Sequence, residues 1–89
     1  MTITVSVYEK RGLCKGPWIS NATFRRVGYL GDLPATPPGP LPGPDPVYTV
    51  EHPPGVFSWE LRVDSPDHQW WDFYVQDGER HEVWLVRNP

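Results

Sequence analysis

Few residues of this chain could do covalent chemistry. Its one cysteine, Cys14, lies among Lys10, Arg11 and Lys15. Positive charge beside a thiol favours the thiolate, the form that attacks electrophiles. A catalytic cysteine also needs a base within hydrogen-bond reach, and His52, His68 and His81 are the candidates. Against this stands the ordinary behaviour of a free cysteine, which packs as a small hydrophobe. The same histidines could join Asp67 or Asp72 around a metal ion. Their spacings are sixteen residues from His52 to His68 and thirteen from His68 to His81, which match no compact ligand motif. The sequence has no Cys-x-x-Cys and no His-Glu-x-x-His. Glu60, Asp64 and Asp72 could form an acid/base pair across neighbouring strands, but such a pair needs a cleft, and 89 residues leave little room for a deep one. Gly-rich phosphate loops, nucleophile elbows and dinucleotide fingerprints are missing as well. No catalytic, metal-binding or cofactor-binding set is assigned on these grounds, and no cofactor is expected.

The aromatic residues carry more information. The chain has five Trp, four Tyr and three Phe. Each large aromatic removes roughly 150–250 Å² from water when buried, so a few of them suffice for a small core. Between Trp70 and Val75, one parity holds Trp71, Phe73 and Val75, and the other holds Trp70, Asp72 and Tyr74. Between Glu82 and Arg87, Val83 and Leu85 alternate with Trp84 and Val86. Both faces are thus partly apolar, unlike a sheet with one wet side. Either both are covered, by the first strand on one side and a proline-rich segment on the other, or one face is an exposed patch meant for a partner. Tyr, Trp and Arg dominate such interfaces. Trp70, Tyr74 and Trp84 are the partner-binding candidates. The expected function is a non-enzymatic protein-binding module, that is an inhibitor, adaptor or accessory subunit. A carbohydrate-binding module using the same rings is the alternative, and a small enzyme using Cys14 or a histidine is a further one.

Composition narrows the partner. A net charge of −3 argues against a general nucleic-acid binder. Basic residues gather early (Lys10, Arg11, Lys15, Arg25, Arg26), and acidic ones follow from Glu60 onward. That division is either two solvated faces or a field that steers a partner. No stretch approaches the roughly 18 apolar residues of a membrane span. The first seven residues, MTITVSV, lack the basic head and apolar run of a signal peptide. The expectation is a cytoplasmic protein that binds another protein, with no nucleic acid and no membrane.

The elements that must position these residues read as strands. One all-β domain over residues 1–89 is expected, a small antiparallel β-sandwich or partly open barrel of five to six strands. Ile3, Val5 and Val7 alternate with polar residues, as in a half-buried strand. Glu9 to Pro17 holds two glycines and a proline and reads as a loop. Ala22 to Leu30 reads as a strand with a bulge near Arg25-Arg26. Leu33 to Pro46 is half proline, seven residues of fourteen. It reads as an extended polyproline-like loop with neither strand nor helix, and its PxxP spacings at Pro34/Pro37 and Pro37/Pro40 suit an aromatic groove. Val47 to His52 is a short strand. In Val56 to Asp64 the residues Phe57, Trp59, Leu61 and Val63 share a dry face. Ser65-Pro66-Asp67 makes a turn. Trp70–Val75 and Glu82–Arg87 are expected to form a hairpin about Asp77-Gly78.

Overall fold

Alternation of apolar and polar residues draws the first strand, β1 (Thr2–Arg11). Its Ile3, Val5 and Val7 are buried almost completely. The computed structural model of the protein describes residues 2–36, 47–51, 55 and 57–89. After β1 come β2 (Cys14–Trp18), β3 (Thr23–Arg26), β4 (Ala35–Thr36), β5 (Tyr48–Glu51), β6 (Ser58–Ser65), β7 (His68–Gln76) and β8 (Arg80–Val86). The protein is all-β: the described residues form eight strands in two sheets rather than the five or six expected, and contain no helix. It follows that no described helix is long and apolar enough to cross a membrane.

In the first sheet, β1 is central. One of its edges carries β2 beside its C-terminal half and β5 beside its N-terminal half, both antiparallel. The other edge carries β8 in parallel, from Thr4 opposite Arg80 to Lys10 opposite Val86. The short β4 pairs with the far side of β5. The second sheet runs β3-β6-β7, antiparallel throughout. Their inner faces meet in a core of Ile3, Val5, Val7, Phe24, Val50, Trp59, Leu61, Val63, Val75 and Leu85, among others.

The two sheets also join along one side. Leu33 N–H donates to Phe24 C=O of β3 (2.7 Å), and Glu51 N–H donates to Pro34 C=O (2.9 Å). The stretch from Leu33 to Thr36 therefore bridges the sheets and curls the whole into a partly open barrel. On the opposite side, β7 and β8 are the edges of their sheets, with no further strand beside them among the described residues.

Tyr48 fastens the passage from β2 to β3. Its hydroxyl donates to Ile19 C=O (2.7 Å) and accepts from Ala22 N–H (3.3 Å). Its ring meets Phe24 edge-on at 5.0 Å between centroids, and burial pushes the phenol pKa up. Tyr48→Phe keeps the ring and deletes both bonds. The expected cost is about 1–2 kcal/mol in urea unfolding, because two backbone groups lose a partner in a mostly dry place. Unchanged stability would show that the hydroxyl does not hold this crossover.

Several expectations need correction. Glu9 to Pro17 is not a loop: β1 and β2 form a tight hairpin through Gly12 and Leu13. The turn holds because Gly12 takes the positive φ of 61° that side chains disfavour. Beyond it, Gly16 lies so close to β1 that an added Cβ would fall 2.6 Å from the Glu9 carbonyl oxygen. The second strand covers only Thr23–Arg26, and its register with β6 is unbroken, so no bulge lies there. The proline-rich segment does carry a strand, because Ala35-Thr36 pairs with β5. Two proline-free residues suffice for that pairing. Residues 37–46 lie outside the described residues, as do His52 and Val56. Phe57 is 75% exposed and not part of the core, since β6 begins only at Ser58.

The largest correction concerns the C-terminal hairpin. Trp70–Val75 and Glu82–Arg87 follow one another around Asp77-Gly78, but they belong to different sheets. The chain arches from the second sheet to the first, and β8 takes β1 as its ladder partner. The turn is anchored to β1 through Gly78 N–H to Thr2 C=O (3.2 Å) and Thr4 N–H to Glu79 C=O (3.0 Å). Parallel pairing with the central strand of the first sheet buries Val83 and Leu85 beside Val7 and Glu9. A flat hairpin with β7 would leave them at an edge.

Candidate functional site

The edges of β7 and β8, unpaired along most of their length among the described residues, define an open seam in the barrel. One end is closed by the Asp77-Gly78 arch. The other is closed by a bridge between His68 and Arg87 and by Asn88 N–H donating to Asp67 C=O (2.9 Å). Between these ends lies a groove of about 440 Å³, lined by Trp70, Trp71, Phe73, Trp84, Val86 and Lys10, together with parts of Gln69, His81 and the intervening β8 residues. Trp70 is 55% exposed and Trp71 59%.

The lips are held in fixed orientations. Arg62 on β6 forks onto Asp72 of β7, with Nε to Oδ1 at 2.8 Å and a terminal nitrogen to Oδ2 at 3.0 Å. The same guanidinium lies 4.2 Å from the centre of the Trp70 ring. One indole face is thereby covered by a planar cation that is itself locked by a carboxylate. On the other lip, Trp84 Nε1–H donates to Glu82 (3.0 Å), and Glu82 also meets Lys15 Nζ at 3.4 Å. Lys15 in turn lies 4.4 Å from the centre of the Tyr8 ring. At the arch end, Phe73 packs edge-on against His81, with centroids 5.0 Å apart.

Of the three candidates, Trp70 and Trp84 line this groove from opposite lips. Tyr74 is 71% exposed but stands opposite Glu60 on the outer face of the second sheet, away from the groove lining. Trp71 and Phe73, on the parity opposite Trp70 and Tyr74, are groove residues as well. The sequence signal was present: both parities of Trp70–Val75 are apolar, as befits a strand with a groove at its edge rather than a single dry face.

Cys14 is exposed at the start of β2, paired across the hairpin with Arg11. His81 bonds Glu79 (3.0 Å). Among the described residues no group of His, Cys, Asp and Glu is placed to hold a metal ion.

A second cluster has the composition of a hydrolytic triad. Ser65 Oγ lies 3.0 Å from His68 Nδ1, and His68 Nε2 lies 3.0 Å from Glu9 Oε1. Ser65 is 4% exposed, and its hydroxyl also reaches Asn21 Oδ1 (3.1 Å). A nucleophile must meet a substrate carbonyl, and this hydroxyl is enclosed by its partners. The cluster instead ties three parts of the chain together. Glu9 of β1 receives Arg11 (2.7 Å), His68 at the head of β7 and Arg87 just beyond β8 (3.2 Å). Arg11, then His68, and finally Arg87 bring the Glu9 carboxyl down from 4.5 to about 2, against the upward push of its burial. This clasp closes the end of the groove marked by the His68–Arg87 bridge.

Comparison with known proteins assigns no relative to this arrangement: no family model, no curated protein and no solved structure matches the chain.

Proposed function

We propose that this domain is a non-enzymatic protein-binding module, an inhibitor, adaptor or accessory subunit, whose interface is the aromatic groove between β7 and β8. The observation that carries this reading is the seam itself. Two sheet edges run side by side and are fastened at both ends, yet they leave a gap rimmed by half-exposed indoles. Free edges offer unpaired backbone donors and acceptors, and half-exposed tryptophans offer apolar area. An extended segment of a partner satisfies both needs at once: its backbone can pair with an edge while its side chains sit between the rings. The clamped rings lose little freedom on binding, which favours affinity.

The test is selection of ligands from a library of displayed peptides, followed by titration of the winners against Trp71→Ala and Trp84→Ala. Each variant should keep the parent's circular dichroism and lose about 2 kcal/mol or more of binding, the range of an interface hot spot. Tyr74→Ala, altered outside the groove, should bind nearly as the parent does. Ligands that bind all four proteins equally would remove the groove from the account.

A further inference from the structure

We infer that the groove takes a proline-rich extended segment, and that a second copy of this chain supplies it through its own residues 37–46. The inference rests on the reading of the groove as a peptide site and names its occupant. Three observations on this molecule lead to it.

The first is the chemistry of the groove. Its lips carry indole rings, Trp70 and Trp71 on the β7 side and Trp84 on the β8 side, and Phe73 and Val86 complete the apolar lining. Flat aromatic walls around a shallow slot are what a polyproline helix recognises, because its rings pack on aromatic faces and its conformation is largely set before binding. The second is that the chain contains such a ligand. PPGPLPGPDP occupies residues 37–46, and with Pro34 it supplies the PxxP spacings Pro34/Pro37 and Pro37/Pro40. Charge agrees as well. Asp45 is the one charged residue between Leu33 and Pro46. The Lys10 side chain, exposed at the groove, makes no side-chain hydrogen bond or ion pair among the described residues.

The third is reach, which leaves the chain's own segment too short to fill its own groove. The segment leaves from Thr36 at the end of β4 and returns at Val47 before β5. From β5 the groove lies across β1 and beyond β8, three strand spacings of ~4.8 Å or about 14 Å, with one more spacing from β4. Ten residues that must go out and come back reach about 16 Å at a polyproline rise of ~3.1 Å per residue. Such a loop could touch the near lip but would have no length left to lie along the slot. A second copy carries no such limit. Two copies can each present a segment and a groove, a self-complementary exchange that closes as a dimer.

Sedimentation velocity over a concentration series, with the full chain, should show one chain passing to two. Trp71→Ala, which alters only a groove lip, should stay a single chain. So should a variant with residues 37–46 replaced by a Gly/Ser linker of equal length. Mixing these two variants should restore association, since one still has a segment and the other still has a groove. A synthetic peptide of residues 33–46 should change the tryptophan fluorescence of the linker variant saturably. Trp71→Ala introduced into that variant should bind the peptide about thirtyfold more weakly, the loss expected for a hot-spot residue. Lys10→Glu in it should weaken the peptide, and Asp45→Lys in the peptide should recover part of the loss.

A protein that remains a single chain up to its solubility limit overturns the inference, as does a dimer that persists in both variants. If this peptide fails to bind while library-selected peptides bind in a Trp71-dependent way, the groove remains a peptide site and only the second-copy occupant falls. If neither binds, both readings fall together.

Discussion

Replacing Trp59 with alanine should leave the protein largely unfolded at room temperature. Trp59 is 3% exposed and lies on the inner face of β6 with Leu61 and Val63, directly opposite Val75 of β7. Deleting a buried indole forfeits its transfer free energy and leaves a cavity that neighbours cannot fill, at a usual cost of roughly 3–5 kcal/mol. Domains in general hold about 5–15 kcal/mol, and a chain of 89 residues falls toward the lower end. The loss is therefore comparable with the whole stability. Near-ultraviolet circular dichroism and urea titration report it directly. Trp71→Ala is the necessary contrast. Its indole is 59% exposed at the groove, so its removal should cost well under 1 kcal/mol in the same titration, as surface substitutions do. Equal and severe destabilisation by the two changes would mean that the groove lips are core, and the proposed binding surface would lose its basis.

That contrast also shows how far periodicity could be trusted. Period-2 alternation located β1 and β6 and oriented both, because each packs one face on the core and obeys the simple rule. It failed at Phe57, where the pattern continued but the strand had not begun, so one ring with the right parity ended in solvent. Turn signals fared unevenly for a physical reason. Asp77-Gly78 does mark a reversal, and Gly78 takes φ of 80° there. A local turn residue, however, cannot specify whether the strands on either side will pair with each other. That choice went to β1, a ten-residue strand with a whole edge to offer, which takes β8 into a parallel ladder.

The groove follows from this event, which explains why it was only half legible. Trp70 and Trp84, named with Tyr74 as candidates, do line it. Trp71 and Phe73 lie on the parity opposite those candidates, and their place in the groove depends on β8 having left β7 for the other sheet. The clasp of Glu9, Ser65 and His68 was not legible at all. Its members lie 56 and 3 residues apart in sequence and meet only because the end of the seam brings β1 beside the head of β7. An apolar position in the alternation of β1 would have been expected at residue 9, and the buried carboxylate there is tolerated because three basic side chains surround it.

Acid should therefore unfold this protein from the clasp outward. Glu9 titrates at about 2 in the folded chain instead of 4.5, so its contribution to stability is complete above about pH 4.5 and disappears as the pH falls toward 2. Glu79 shifts in the same downward direction, held by the Gln76 N–H and then by His81, and adds to the same limb. Urea midpoints measured between pH 7 and pH 2 should fall across that window. Glu9→Gln keeps the shape of the side chain and removes its charge. It should start less stable at pH 7, because Arg11, His68 and Arg87 lose their anion, and its midpoint should decline less on acidification. The two curves should converge near pH 2, where the parent's Glu9 is itself neutralised. Curves that stay parallel throughout would show that another carboxylate sets the acid limb. Convergence would carry a structural corollary that amide exchange can read. With Glu9 neutral, the Arg87–His68 closure of the seam weakens first, so the Asn88 N–H bonded to Asp67 should lose protection before the amides that join β1 to β8.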